Sequence, residues 1–168
     1  MVKLGKIKTK FVACNFYMNM KKTTPSSPSG KVLVLDDDRG VLELMRTILR
    51  TIPSVEMVHA LDDPQRALVL ASQNDYDLIV SDINFSSGSC GEKLADGLRF
   101  VEEILSIKGS DTLKKIIVVS SDYERIEEAS RMGVHCLKKP FEVSEFRTCV
   151  QNIIAGKTVA EGQGENFN

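Results

Sequence analysis

Four stretches of this chain end an apolar run on residues able to do chemistry. VLVLDDD ends on Asp36, Asp37 and Asp38, LIVSD on Asp82, IIVVSS on Ser120 and Ser121, and VHCLKKP on Lys139 and Pro140. Carboxylates from two segments brought to one spot repel, and each raises the other's pKa unless a cation lies between them. A hard divalent ion answers that need. Oxygen-only donors, few in number and leaving room for water and a phosphate, suit magnesium better than zinc or a calcium cage. A carboxylate is also a nucleophile and can carry a phosphoryl group as an aspartyl phosphate. The three equatorial oxygens of such a transfer need charge stabilisation, which a metal, a lysine and a hydroxyl can supply together.

The same residues have plainer uses. An acid after a strand often caps the next helix, and Asp38 ahead of VLELM fits that role; Ser121 or Asp122 fits it ahead of the next helical stretch. A lone Lys-Pro pair is a common turn. The joint placement at four separate strand ends favours chemistry over capping alone.

The elements that must carry these residues alternate along the chain. KVLVLDD reads as a strand, and VLELMRTILRTI follows with apolar residues at helical spacing. VEMVHA and then PQRALVLAS, with Pro64 at a helix start, repeat the unit, and YDLIVSD is a third strand before the helix DGLRFVEEILSIK. KKIIVVSS, YERIEEASRM, VHCLKKP and EVSEFRTCVQNIIAG complete five strand-helix units, the last closed by Gly156. The strands are continuous apolar runs, as a parallel sheet buried on both faces requires. A doubly wound α/β sandwich is expected, and in such sheets function collects at the carboxyl ends of the strands.

Composition narrows the setting. The chain has 168 residues, 42% hydrophobic and 27% charged, which suits one soluble domain with tails, and no apolar run approaches the roughly 20 residues of a membrane span. Its net charge of -1 hides an asymmetry: residues 1–30 hold six lysines and no acid, leaving 16 basic against 23 acidic groups in the rest. An acidic body argues against a nucleic-acid surface. Cys14, Cys90, Cys136 and Cys149 show no CxxC or zinc spacing and read as ordinary thiols in a reducing, cytoplasmic setting. His59 and His135 lie in short apolar runs and read as structural. Residues 1–30 are expected to form a disordered basic leader and linker, 31–156 the domain, and 157–168 a disordered tail.

Residues 30 to 155 resemble the receiver domain of two-component response regulators. VLVLDDD resembles the family's first strand with its acidic pair, which implies metal binding by Asp36 and Asp37. YDLIVSDIN resembles the phosphoacceptor segment, so the resemblance makes Asp82 the acceptor and gives the metal the Asn84 backbone carbonyl. IIVVSS implies Ser120 as the switch hydroxyl, with Ser121 the small residue beside it, and LKKPF implies Lys139 as the phosphate-binding lysine before a cis proline. The family implies a flavodoxin-like five-stranded sheet of order 2-1-3-4-5, magnesium as cofactor, and a sensor histidine kinase or histidine phosphotransfer protein as phosphodonor. With only a short stretch after Gly156, signalling is expected through the fourth helix, fifth strand and fifth helix to a protein target, without a DNA-binding output domain.

Two other readings compete. Asp36-x-Asp38, a Ser-ended strand and a lysine also suit a haloacid-dehalogenase-type phosphatase, but no aspartate occurs after Asp122 to complete that site. A receiver-like binding module that is never phosphorylated is the other; the intact acidic pair, acceptor, hydroxyl and lysine argue against it. The chain also departs from the receiver pattern. Phe85 takes the usual Met position, no proline follows, Asp96-Gly97 arrives about seven residues late, and Cys136 takes the aromatic switch position. The stretch 85–96 therefore reads as an insertion that modulates access or partner choice. Shortening it to a two- or three-residue turn is expected to leave phosphorylation of Asp82 possible, as read by intact mass after incubation with acetyl phosphate and magnesium.

Overall fold

Strand and helix alternate five times in the computed structural model, which describes residues 29–85 and 96–157. The strands are β1 (Gly30–Leu35), β2 (Val55–Leu61), β3 (Leu78–Asp82), β4 (Ile116–Ser120) and β5 (His135–Lys138). The helices are α1 (Arg39–Arg50), α2 (Pro64–Gln73), α3 (Gly97–Lys108), α4 (Tyr123–Arg131) and α5 (Val143–Ile154), with a 3-10 helix at Ser110–Lys115 that the apolar periodicity did not signal. All strands pair in parallel, in the order β2-β1-β3-β4-β5. The expected doubly wound sheet and its order are both present. Residues 1–28 of the expected leader, residues 86–95 of the insertion and all but the first residue of the expected tail lie outside the described residues, and Gly30, expected in the linker, opens β1.

Alternate residues of each central strand enter opposite cores, which is why the strands read as unbroken apolar runs. Val32, Val34, Leu78, Val80, Ile117 and Val119 face a layer containing Met45 and Leu49 of α1 and Phe146 and Val150 of α5. Leu33, Leu35, Ile79, Ile116 and Val118 face the other, with Ala67 of α2, Phe100 and Ile104 of α3 and Ala129 of α4. Sheet, register and site are therefore fixed together, since a one-residue slip of β1 or β3 exchanges its two faces and moves the residue at its end.

Every helix in such a fold begins on the rim where a strand has ended, and aspartates begin four of the five. Asp38 accepts from the Gly40 and Val41 amides, Asp63 from Gln65 and Arg66, Asp96 from Leu98, and Asp122 from Glu124 and Arg125. Pro64 opens α2 as expected, its missing N–H costing nothing in the first turn. Asp122, not Ser121, caps α4. Gly156, at φ 66, takes the left-handed conformation that ends α5. Replacing a cap removes a bond to the helix's unpaired first amides. Asp38→Ala is expected to cost about 1 kcal/mol of folding free energy, measured as a lower urea midpoint with an unchanged m-value.

Candidate functional site

The capping aspartates leave Asp36, Asp37 and Asp82 to be explained. β1 and β3 are neighbours, so Asp36, one residue beyond β1, and Asp82, the last residue of β3, are delivered to the same stretch of rim. Carboxylate oxygens of Asp36, Asp37 and Asp82 lie within 4.8 Å of one another. Asp36 is 1% and Asp82 9% exposed, whereas Asp37 is half-buried.

Lys139 crosses to this pair from the far side of the sheet. Its Nζ donates to Asp36 Oδ2 at 2.9 Å and to Asp82 Oδ2 at 2.8 Å. The backbone aims it: the Lys139 amide continues the β4–β5 ladder by donating to the Ser120 carbonyl at 2.8 Å, and the Lys139-Pro140 peptide is cis, as expected from the LKKPF stretch. The remaining oxygens are held by main-chain amides. Asp36 Oδ1 accepts from the Asp38 N–H at 2.9 Å, and Asp82 Oδ1 accepts from Ile83 at 2.7 Å and Asn84 at 3.2 Å.

The electrostatics follow from burial and from one shared cation. Burial raises the pKa of Asp36 above the ordinary 3.8, and the Lys139 ammonium and the Asp38 amide oppose that shift without cancelling it. Burial pulls Lys139 down, but its bonds to Asp82 and Asp36 more than reverse this, so it is held above its ordinary value and stays charged. Two buried carboxylates thus share one ammonium, with the Asp37 carboxylate alongside. Such an all-oxygen, anion-rich pocket fits a small hard divalent cation.

Ser120 ends β4 beside β3 and is fully buried. Its Oγ accepts from Asn84 Nδ2 at 3.3 Å and from the Asp122 amide at 3.0 Å. Asn84 therefore enters the site through its side chain as well as its main chain, a contact the sequence did not indicate. All the expected site residues, Asp36, Asp37, Asp82, Asn84, Ser120 and Lys139, are gathered at one end of the sheet by these contacts.

Gly97 was also missed. A Cβ built on it would lie 2.0 Å from the Asp82 carbonyl oxygen and 2.7 Å from the Ile83 Cα. Only glycine lets the start of α3 lie against the backbone of Asp82 and Ile83. The Asp-Gly pair in the sequence was a signal for it, although the contact itself was not legible.

The remaining polar candidates do no visible chemistry. His59 Nδ1 shares a 2.6 Å hydrogen bond with the Tyr76 hydroxyl, and His135 has its pKa lowered by burial. Cys136 and Cys149 are free thiols, each pushed up to about 11 by burial, with Glu145 adding to the shift at Cys149. Thiols so protonated are poor nucleophiles. No helix among the described residues is long and apolar enough to cross a membrane.

Comparison with known proteins places this geometry. The response regulator receiver domain family matches residues 32–151. The transcriptional regulatory protein MalR of Bacillus subtilis is 30% identical over 122 residues, which cover 72% of this chain and 48% of that protein. The chain spans less than half the length of the curated relatives it matches. Among solved structures, the receiver domain of the Francisella response regulator 1452 superposes with a TM-score of 0.60 at 25% identity, covering 76% of this chain and 98% of the other. The receiver domain of a sensor histidine kinase from Pseudomonas aeruginosa, solved with a magnesium ion coordinated in its active site cleft, gives a TM-score of 0.59 at 22% identity over 75% of this chain and 98% of its own. On this match, and with the fold it predicts present, the chain belongs to the response regulator receiver domain family of two-component signalling.

Proposed function

We propose that this receiver is a phosphorylation-controlled switch whose acceptor is Asp82, with a histidine kinase or histidine phosphotransfer protein as donor and a protein as target. The observation that carries the reading is the Lys139 ammonium bonded at once to Asp36 and Asp82, from an element three strands away from β1. A capping or turn role needs no such bridge.

In the proposed transfer a carboxylate oxygen of Asp82 attacks the phosphorus of a phosphohistidine. The new O–P bond forms as the P–N bond breaks, and the imidazole leaves with that electron pair and takes up a proton. Asp82 Oδ1 is held by two amides, so Oδ2, on the Lys139 side, is the oxygen open to attack. Lys139 exchanges its contact with Asp82 for one with the phosphoryl oxygens, keeping charge neutralised as the nucleophile is consumed. Ser120 donates its hydroxyl hydrogen to another phosphoryl oxygen. A magnesium ion held by Asp36, Asp37, Asp82 and the Asn84 carbonyl would supply the positive charge that the transferring group requires. The magnesium in the Pseudomonas receiver supports that choice of ion.

Rearrangement around Ser120 would shift a pre-existing equilibrium at α4, β5 and α5, where the target is to bind. Tyr123, 65% exposed, and Val143 offer apolar area there, and Lys138 Nζ lies 3.0 Å above the Tyr123 ring centroid. The phosphatase alternative has less support. Its second acid, Asp38, is occupied in capping α1.

Incubation with magnesium and acetyl phosphate, followed by intact mass, is expected to show a gain of one phosphoryl group that Asp82→Asn abolishes. No gain across donors and magnesium levels makes the chain a binding module, and steady hydrolysis of phosphomonoesters restores the phosphatase. A second outcome concerns stability. Because the folded pKa of Asp36 lies above its unfolded value, the native state holds the proton more tightly, and its ionisation destabilises the fold increasingly as pH rises from about 4 through the folded pKa. In metal-free buffer Asp36→Asn is expected to be at least as stable as wild type at pH 7, with the gap closing toward pH 4. Magnesium is expected to raise the melting temperature of wild type and to do so less in the variant.

A further inference from the structure

A phosphoryl group on Asp82 acts as a signal only if α4 responds to it, and β5 has no aromatic ring on its inner side to carry that response. Cys136 is there instead, its Sγ 3.6 Å from the Ile126 and Val134 carbonyls and packed in the core with α3 and α4. A different connection runs across the rim. The Gly97 amide donates to the Ile83 carbonyl at 2.9 Å, Asn84 and Asp96 form an antiparallel bridge, and Gly97 lies directly on the Asp82 carbonyl. The backbone of the acceptor cannot shift without moving Asp96.

Asp96 in turn holds α4. Its Oδ1 accepts from the Leu98 amide at 2.9 Å, capping α3, and also from Arg125 Nη2. Arg125 lies in the first turn of α4, its amide bonded to the Asp122 cap and its Nη1 bonded to Glu128 at 3.0 Å. A planar guanidinium with two carboxylate partners has little freedom left. Burial lowers its pKa, but Asp96 and then Glu128 and Asp122 more than compensate, so its charge is constant.

A second arm reaches the same turn, from Asn84 Nδ2 to Ser120 Oγ and from there to the Asp122 amide. Acceptor, Ser120, α4 and the start of α3 thus form a closed circuit, and Arg125 with Asp96 is the segment outside the phosphoryl pocket. We propose that the Asp96–Arg125 ion pair couples the acceptor loop to α4, making Arg125 a positioning residue for the switch. The pair leaves the chemistry at Asp82 alone and sets how strongly α4 answers it. The inference rests on the phosphoacceptor reading.

The test is hydrogen exchange of the α4 amides in the full chain, before and after phosphorylation by acetyl phosphate, with intact mass recorded on the same samples. Wild type is expected to change protection across Tyr123–Arg131. In Asp96→Asn, which keeps a capping side chain, and in Arg125→Gln, that change should shrink by about two- to five-fold, the range expected of a partly exposed ion pair. The mass gain should persist. Arg125→Lys should recover part of the response. Raising salt to about 1 M, where the screening length falls to about 3 Å and a partly exposed ion pair weakens, should bring wild type down toward the variants while leaving theirs unchanged. This arm needs no folded variant. An undiminished α4 response in both variants at full mass gain, or a wild-type response indifferent to salt, overturns the coupling. Absence of mass gain in wild type is a separate result that overturns the phosphoacceptor reading and the coupling with it.

Discussion

Two carboxylates taken out of water with one ammonium between them are the constraint around which this domain is arranged. An isolated buried carboxylate loses its hydration and protonates instead, and Asp36 shows that tendency in its raised pKa. Lys139 limits it, but only if β5 takes its place beyond β4 and releases the chain over the rim. Three strand spacings, about 14 Å, separate β5 from β1, so a long side chain leaving a strand end is what can join them. The order β2-β1-β3-β4-β5 is thus the condition for the ion pairs as well as for the two cores.

A parallel sheet also explains why the rim is so rich in aspartate. Strand ends and helix N-termini share it, so the same residue type serves both to cap and to concentrate charge. One residue separates the two uses at β1: Asp36 is buried against Lys139, and Asp38 turns to the first amides of α1. The positive ends of the helix dipoles face this rim too and favour an anion there.

The fold was legible because the strands are buried on both sides: IIVVS and LIVSD are short, unbroken and β-branched, and the amphipathic stretches between them have capping aspartates at their starts. The site was legible where a residue ends a strand, since a strand end has one place to go. Arg125 was not. In YERIEEASRM an arginine among glutamates is indistinguishable from ordinary helix-surface charge, and its partner Asp96 is 29 residues away. Nor was the closeness of Gly97 to Asp82, because a missing side chain leaves no trace in the sequence of what occupies its space. The 3-10 helix went unread for a related reason: SDTLKK buries none of its residues and so has no apolar period.

Ser120 shows how burial can select a chemical role. A hydroxyl has two acceptor positions and one hydrogen. At Ser120 the Asn84 amide and the Asp122 N–H supply a donor to each acceptor position, in a residue with no exposure to water. What remains is a single hydrogen, in a pocket whose neighbours include two carboxylates and an ammonium. Such a hydroxyl is prepared to donate and has no capacity to accept further, which matches a phosphoryl oxygen and mismatches a ligand that can only donate, such as an ammonium. The preference is set by the turn that places Asp122 at the start of α4, so the residue that caps the helix also fixes the polarity of the serine beside it.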